Sequence, residues 1–288
     1  MKYEEFKRRV KAEVKDYLPQ EFKGAVLLEK KTKKINRTLT GLTIFSTEED
    51  TCGPTIYYEE LYEVYLKTGD FEWLLKQIAE GYVKSIAEIK DQDTALYNDC
   101  DCDSIKAGVF MNLINTEKNE KLLGSVPHKN ILDLSIIYRC YVGMENGAEI
   151  SYIITNEIVE VMGISMEELH CWAQKNMSEV KPLVIESTEE ELYIVTCKSR
   201  VLGAAYMINL DLLDKMAERL NADLYILPSS IHEVFIIRDT LGDPKELVNI
   251  IREANQTVVR EDEILSYNLY HYERASKKLS IVQCGNPC

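Results

Sequence analysis

The sequence lacks the glycine-rich loops that most often hold nucleotide phosphates. It has no Gly-x-x-x-x-Gly-Lys-Ser/Thr segment and no Gly-x-Gly-x-x-Gly segment, so no backbone cradle for a phosphate is predicted. The Gly-x-Ser-x-Gly elbow that presents a nucleophilic serine is missing as well. We therefore predict no nucleotide cofactor and no standard serine hydrolase.

Long apolar runs are also lacking. The first residues, Met1–Arg9, contain no apolar segment of the kind found in secretory signals, and no later window approaches the roughly 18 apolar residues of a membrane span. We therefore expect a cytoplasmic protein without a membrane partner. In that compartment the eight cysteines are expected to be free thiols.

Basic residues are outnumbered by acidic ones. The chain has 34 Lys and Arg against 48 Asp and Glu, a formal net charge of −14, and this charge repels phosphate backbones. Nucleic acid is therefore not an expected partner. One basic stretch, Glu29–Arg37, is more typical of a strand edge protected by charge than of a phosphate site.

The hydrophobic pattern predicts a helix-rich amino-terminal lobe over residues 1–95. Apolar residues at helical spacing predict helices over 3–18, 58–66 and 71–86, and alternation predicts a strand pair at 26–28 and 39–45. An acidic run at 90–94 is typical of a linker. The 288 residues are enough for two lobes.

The second half predicts an α+β lobe over residues 96–282, with a mixed or antiparallel sheet and helices on one face. A Ser165/Glu168 capping box and the Asp243-Pro244 pair each indicate a helix start. The predicted strands, which share runs of β-branched and aromatic residues, lie at 131–142, 150–154, 192–197, 204–208, 224–227, 234–237, 267–272 and 279–282. Residues 109–115 fit either type of element, and the tail 283–288 is expected to be frayed.

The densest group of metal-ligating residue types is Asn98–Asp103, which includes Cys100 and Cys102. Its spacing matches neither a structural zinc site nor an EF-hand loop. A solvated acidic loop with incidental thiols is the preferred interpretation, and a metal or redox site is the alternative.

Nucleophile candidates are few. Cys52 lies at a predicted turn, where a thiol would be exposed, but catalysis also needs a nearby histidine. His170 and Cys171 are adjacent on a predicted helix, so their side chains point in different directions. Pro228–Glu233 brings serine, histidine and carboxylate together in sequence, yet a serine-rich turn between strands explains it more simply.

Several segments have a family likeness. Ile114–Leu123, Val126–His128 and Leu132–Tyr138, together with 54–59 and 227–234, resemble the domain-of-unknown-function family numbered 5688, found in gut-associated Firmicutes. The resemblance spans roughly residues 24–282 and implies no activity, cofactor or metal. It marks a set of polar positions without assigned roles: Asn115, Asn119, Pro127, His128, Asp133, Ser229, Ser230, His232 and Glu233.

Two hypotheses for function follow. The preferred one is a non-enzymatic cytoplasmic accessory protein whose acidic surface meets an unidentified protein partner. The alternative is an enzyme of hydrolase-like type whose cleft gathers polar residues from the family-like positions, namely His128, Asp133, Ser230 and His232, with Cys52. The sequence predicts no particular catalytic residue and no oligomeric state.

Overall fold

The computed structural model describes residues 1–47, 53–91, 101–145, 147–188 and 191–283. Contacts divide the chain into two compact units. The first comprises Met1–Lys34 and Thr38–Asp99, and the second comprises Ile35–Arg37 and Cys100–Cys288. The boundary predicted near residue 95 lies outside the described residues.

The first unit packs helices on a small sheet. Its elements are α1 (Tyr3–Tyr17), β1 (Val26–Lys34), β2 (Arg37–Phe45), β3 (Thr55–Tyr57), α2 (Tyr58–Thr68) and α3 (Phe71–Asp91). The strand order is β1-β2-β3. Of the five apolar positions that predicted α1, Phe6, Val10 and Val14 are fully buried, and Tyr3 and Tyr17 are half-buried. The helical periodicity therefore correctly identified the face that packs on the core.

The second unit alternates helices and strands. Its elements are α4 (Cys102–Gly108), β4 (Val109–Asn115), α5 (Glu120–Leu123), β5 (His128–Ile131), β6 (Leu134–Glu145), β7 (Ala148–Ile153), α6 (Asn156–Met162), α7 (Met166–Val180), β8 (Leu183–Ser187), β9 (Tyr193–Cys197), α8 (Leu210–Leu220), β10 (Leu224–Pro228), β11 (Val234–Arg238), α9 (Pro244–Thr257), β12 (Tyr270–Glu273) and β13 (Lys278–Ile281). Short 3₁₀ helices include Glu117–Asn119 and Gly203–Ile208.

These strands form two sheets. One has six strands in the order β13-β12-β10-β11-β9-β8, and the other joins β4, β6 and β5, with β7 also paired to β6. The paired strands of both sheets run antiparallel. The predicted α+β class and antiparallel pairing are therefore confirmed, although the second unit contains two sheets where one was expected.

The helix starts were predicted correctly. Ser165 and Glu168 form the reciprocal capping box at the start of α7, and Asp243 accepts the amides of Lys245 and Glu246 ahead of Pro244. Each cap satisfies amides that have no partner within the helix.

Several elements differ from the prediction. The run 131–142 is broken by a turn, because Leu132 adopts a left-handed conformation with φ 55°. Residues 204–208 form a 3₁₀ helix rather than a strand, since a short apolar run does not distinguish the two. The exposed strand β8 was not predicted.

The described helices include none with the length and apolar character that crossing a bilayer requires. The first unit's longest helix, α3, has 21 residues, but charged side chains recur along it.

Candidate ligand-binding cleft

A cleft of about 350 Å³ opens in the second unit. Its floor is apolar and buried, and it is formed by Met111, Ile136, Met177, Ala205 and Tyr206. Its rim is polar and consists of Lys129, Asn130, His170, Gln174, Asn209 and Asp211. An apolar floor with a few polar groups at the rim is the usual composition of a small-molecule site.

The pairing register of β4, β5 and β6 determines which side chains form one wall of the cleft. Lys129 of β5 is paired with Ile136 of β6, and Met111 of β4 is paired with Tyr138 of β6. Directly paired residues point to the same face of a sheet, and so do residues two apart. The alternation along β6 therefore directs Lys129, Ile136, Met111 and Tyr138 to one side.

Helix α7 supplies the opposite wall. His170, Gln174 and Met177 follow one another at spacings of four and three residues, which places them on one helix face. The 3₁₀ helix Gly203–Ile208 and the first turn of α8, which Asn209 caps by accepting the amide of Leu212, complete the lining.

His170 forms a hydrogen bond with Tyr138 that fixes its tautomer. The Tyr138 hydroxyl lies 3.0 Å from His170 Nδ1, and burial raises the pKa of Tyr138 to about 12, so the phenol keeps its proton and donates. Burial, and then the nearby charge of Lys129, lowers the pKa of His170. At neutral pH the imidazole is therefore uncharged and carries its hydrogen on Nε2.

Three rim side chains remain available for a ligand. Within the part of the chain that the structure describes, Lys129, Gln174 and Asp211 form no side-chain hydrogen bond or ion pair. By contrast, Tyr206 at the floor is satisfied, because its hydroxyl donates to Met177 O at 3.1 Å and Lys181 O at 2.5 Å. Lys129, Gln174 and Asp211 thus differ from the other rim residues His170, Asn130 and Asn209, which accept or share hydrogen bonds within the protein.

The family-like position Asp133 lies elsewhere and organises a loop. Its Oδ2 accepts from Ser266 Oγ at 2.7 Å and from Asn268 Nδ2 at 3.0 Å, and its Oδ1 accepts from the Tyr270 hydroxyl at 2.6 Å. All three donors come from the loop Val258–Leu269 or the residue that follows it. A carboxylate with three donors is typical of a structural anchor.

Two further family-like positions hold the same loop. Asn115 Nδ2 donates to Leu265 O at 3.2 Å. Asn119 donates to Asn115 O at 2.7 Å and accepts the amide of Asn36, and Asn36 in turn donates to Ile264 O at 2.8 Å. These side chains therefore satisfy backbone groups that the irregular loop leaves without secondary-structure partners.

Ser230 and His232 are in contact, but not as a nucleophile and its base. Ser230 Oγ accepts the backbone amide of His232 at 3.0 Å, and the His232 ring accepts the amide of Leu202 on Nδ1 at 3.0 Å. Its Nε2 lies 3.5 Å from Glu263 Oε1. The serine is positioned as a turn residue, as the simpler interpretation of this segment predicts.

The family-like residues Ser229 and Glu233 belong to the same turn, whereas Pro127 and His128 come from an earlier segment of the chain. Ser229 Oγ lies 3.4 Å from Glu233 Oε1. Pro127 is buried, and His128 pairs through Nδ1 with Val126 O at 3.0 Å. Among the described residues, no hydrogen bond or ion pair joins His128 to Asp133, Ser230 or His232.

The acidic cysteine segment is described only in part. Asp101 caps α4 by accepting the amide of Ser104 at 2.7 Å, and that hydrogen bond lowers the pKa of its carboxyl. Cys102 is an exposed free thiol at the start of this helix, so the segment does not continue as a loop. Asn98–Cys100, the candidate nucleophile Cys52 and the tail cysteines 284 and 288 lie outside the described residues.

A comparison with protein families identifies the chain. The model of a family of unknown function, DUF5688, matches residues 3–192 and 185–274. The chain belongs to this family. The predicted resemblance is confirmed, and the match begins nearer the amino terminus than the quoted segments indicate. No curated protein and no solved structure shows a significant match, and the DUF5688 description assigns no activity.

Sequence reasoning named His170 only as the neighbour of Cys171 and missed the rest of the rim. Lys129, Gln174 and Asp211 come from three separate segments, and nothing in their local sequence distinguishes them from other surface residues. A second group was missed for the same reason. Asp223, Asp239 and His271 are the described side chains whose donor atoms lie close enough together to hold a metal ion.

Proposed function

We propose that the protein is a bacterial, cytoplasmic binding protein whose cleft takes a small molecule with an apolar body and one anionic group. The observation that carries this proposal is an apolar floor beside a rim cation, Lys129, that has no ion-pair partner among the described residues. A bound anion would also accept from the Nε2–H of the neutral His170. The size of the cleft, about 350 Å³, lies in the range of ligand pockets.

The chemistry of the lining favours binding over catalysis. Within the described residues, no serine, threonine or cysteine lines the cleft. The phenols of Tyr138 and Tyr206 are engaged in hydrogen bonds, and burial raises the pKa of each to about 12. Neither phenol is therefore activated as a nucleophile at neutral pH.

Asp211 limits the number of anionic groups that the ligand can carry. Its carboxylate also has no ion-pair partner among the described residues, so it would repel a second anionic group on the ligand and would accept a hydrogen bond from a donor group. We therefore expect monoanions to bind better than dianions of similar size.

The proposal can be tested with a pair of fluorescent probes of nearly the same shape. 8-Anilinonaphthalene-1-sulfonate carries one anionic group, and N-phenyl-1-naphthylamine is its uncharged counterpart. We expect saturable binding of both to the intact chain. Lys129→Met should weaken binding of the sulfonate at least fivefold and change binding of the uncharged probe by less than twofold.

Two further variants complete the design. Gln174→Trp places a large side chain at the rim and should abolish binding of both probes. Lys175→Met removes an exposed lysine on α7 that does not line the cleft and should change neither. Equal sulfonate affinity in Lys129→Met and Lys175→Met would refute the anionic part of the proposal, and undiminished binding to Gln174→Trp would refute the cleft.

A protein-binding role is the second candidate, and the net charge of −14 favours it. A surface of this sign attracts basic partners and accelerates their association at low ionic strength. The affinity of such a complex should fall steeply between about 50 and 200 mM salt, since exposed charges are screened over about 8–10 Å at physiological ionic strength.

A further inference from the structure

Three metal-ligating side chains meet on one face of the six-stranded sheet, outside the cleft. Asp223 precedes β10, Asp239 follows β11, and His271 lies in β12. Tyr225 is paired directly with His271, and the amide of Asp239 donates to Asp223 O at 3.0 Å. The alternation of side chains therefore directs all three groups to the same side as the Tyr225 ring.

The donor atoms converge without satisfying one another. His271 Nε2 lies 3.7 Å from Asp239 Oδ2 and 3.9 Å from Asp223 Oδ2, and one donor atom from each of the three residues lies within 4.8 Å of the other two. Both distances exceed the hydrogen-bond range of about 2.7–3.2 Å. Ligands held about 2.1 Å from a shared cation lie about 3–4 Å from one another.

Charge also favours a bound cation. Two carboxylates face each other here, and among the described residues neither forms an ion pair with a lysine or arginine. The two nearby arginines are directed elsewhere, because Arg238 pairs with Glu191 and Arg274 Nη1 donates to Asn221 Oδ1 at 2.7 Å. Among the described residues, no lysine or arginine therefore offsets the negative charge of the two carboxylates.

One carboxylate is already oriented for ligation. The backbone amide of Arg274 donates to Asp223 Oδ1 at 2.9 Å. This bond holds the carboxylate in place and leaves Oδ2 as the oxygen closest to His271. Hydrogen bonds of this kind to the second carboxylate oxygen are a regular feature around bound metal ions.

We propose that Asp223, Asp239 and His271 bind a divalent transition-metal ion. One imidazole nitrogen and two carboxylate oxygens form a donor set suited to Mn²⁺, Fe²⁺ or Zn²⁺ rather than to Ca²⁺ or Mg²⁺, which prefer oxygen alone. The side chains are between 25 and 33% exposed, so water or a ligand can occupy the remaining coordination positions. This site is independent of the cleft and of its proposed ligand.

The test uses Mn²⁺ alone, because this ion binds free thiols weakly and the chain contains eight cysteines. The chelator-treated full-length chain is titrated with Mn²⁺, and the free ion is measured by electron paramagnetic resonance. We expect one saturable site. Asp239→Asn and His271→Gln should each weaken it at least tenfold, whereas His128→Gln and Glu179→Gln, which remove an imidazole and an exposed carboxylate elsewhere, should leave it within twofold.

Folding of each variant is checked by circular dichroism and thermal melting. Asp239→Asn is the more conservative change, because among the described residues the Asp239 side chain forms an ion pair with His271 and no other hydrogen bond or ion pair. Absence of a saturable site in the unmodified chain would overturn the proposal. So would a site that survives in both Asp239→Asn and His271→Gln, since Mn²⁺ would then be held by other acidic groups.

Discussion

The hydroxyl of Tyr270 donates to Asp133 Oδ1 at 2.6 Å, across 137 residues of the chain. Tyr270 is fully buried, and burial, together with the adjacent carboxylate charge, raises the pKa of its phenol. The phenol therefore keeps its proton and remains a hydrogen-bond donor at neutral pH. This hydrogen bond links the turn after β5 to the first residue of β12.

We expect Asp133→Asn to destabilise the protein by about 2–4 kcal/mol, because an amide nitrogen would face donors that now bond to a carboxylate. Tyr270→Phe should cost about 1–2 kcal/mol. Urea unfolding of both variants and of the double variant measures the coupling between them. A coupling energy below about 0.5 kcal/mol would show that the contact contributes little.

A second prediction concerns the buried ion pair of Lys181 and Glu149, whose side chains are 0 and 4% exposed. Lys181 Nζ also donates to Val201 O at 3.0 Å and lies 4.5 Å from the centre of the Phe110 ring. Lys181→Met should cost about 3–5 kcal/mol, since it leaves a buried carboxylate without its cation.

The double variant Lys181→Met, Glu149→Met removes both charges and should recover at least half of that loss. Lys175→Met, at an exposed position, serves as the control and should change stability by less than about 0.5 kcal/mol. Chemical unfolding provides the comparison. A double variant less stable than Lys181→Met would show that the carboxylate has a structural role of its own.

Local patterns predicted much of the fold. The buried stripe of α1, the Ser165 capping box and the Asp243 cap depend on residues within a few positions of one another, so periodicity and capping rules apply to them directly. The 3₁₀ helix Gly203–Ile208 was mistaken for a strand because its conformation depends on distant neighbours, including His232.

The candidate sites were harder to predict, because their members also come from distant parts of the chain. The rim of the cleft combines Lys129, His170 and Asp211, and the proposed metal site combines Asp223, Asp239 and His271. None of these sets forms a motif with fixed spacing, because sheet register and helix packing bring the members together. The polar residue Asp133, which the family resemblance highlighted, proves to hold a loop in place.

A third prediction tests the packing around Gly203. A Cβ atom at this position would lie 2.5 Å from the Cys197 amide nitrogen and 2.8 Å from the His232 carbonyl oxygen. Gly203→Ala should therefore destabilise the protein by more than about 2 kcal/mol. Gly81→Ala is a matched control in α3, where no described atom other than the chain neighbours and the local helix backbone lies within 4 Å of the added methyl, and helix propensity should make it stabilising by about 1 kcal/mol. Equal melting temperatures for the two variants would contradict the proposed close contact.

The last prediction is a pH dependence of stability that originates at His170. Burial and then the charge of Lys129 lower the pKa of His170 in the folded state, whereas the unfolded chain has an ordinary histidine pKa of about 6.5. Between these two values the unfolded state binds more protons, so the free energy of unfolding falls as the pH drops below about 6.5 and levels off below the folded pKa. His170→Gln removes this contribution and should give a shallower decline between about pH 7 and pH 5.

Chemical unfolding at matched pH values gives the comparison for the unmodified chain and for His170→Gln. Carboxylates titrate in both proteins, so only the difference between the two curves reports on His170. His128→Gln is the control for the loss of an imidazole that does not line the cleft, and the difference between its curve and that of His170→Gln isolates the contribution of His170. Parallel curves for the unmodified chain and His170→Gln would mean that folding does not lower the pKa of His170. The neutral Nε2–H donor assigned to the cleft would then lose its support.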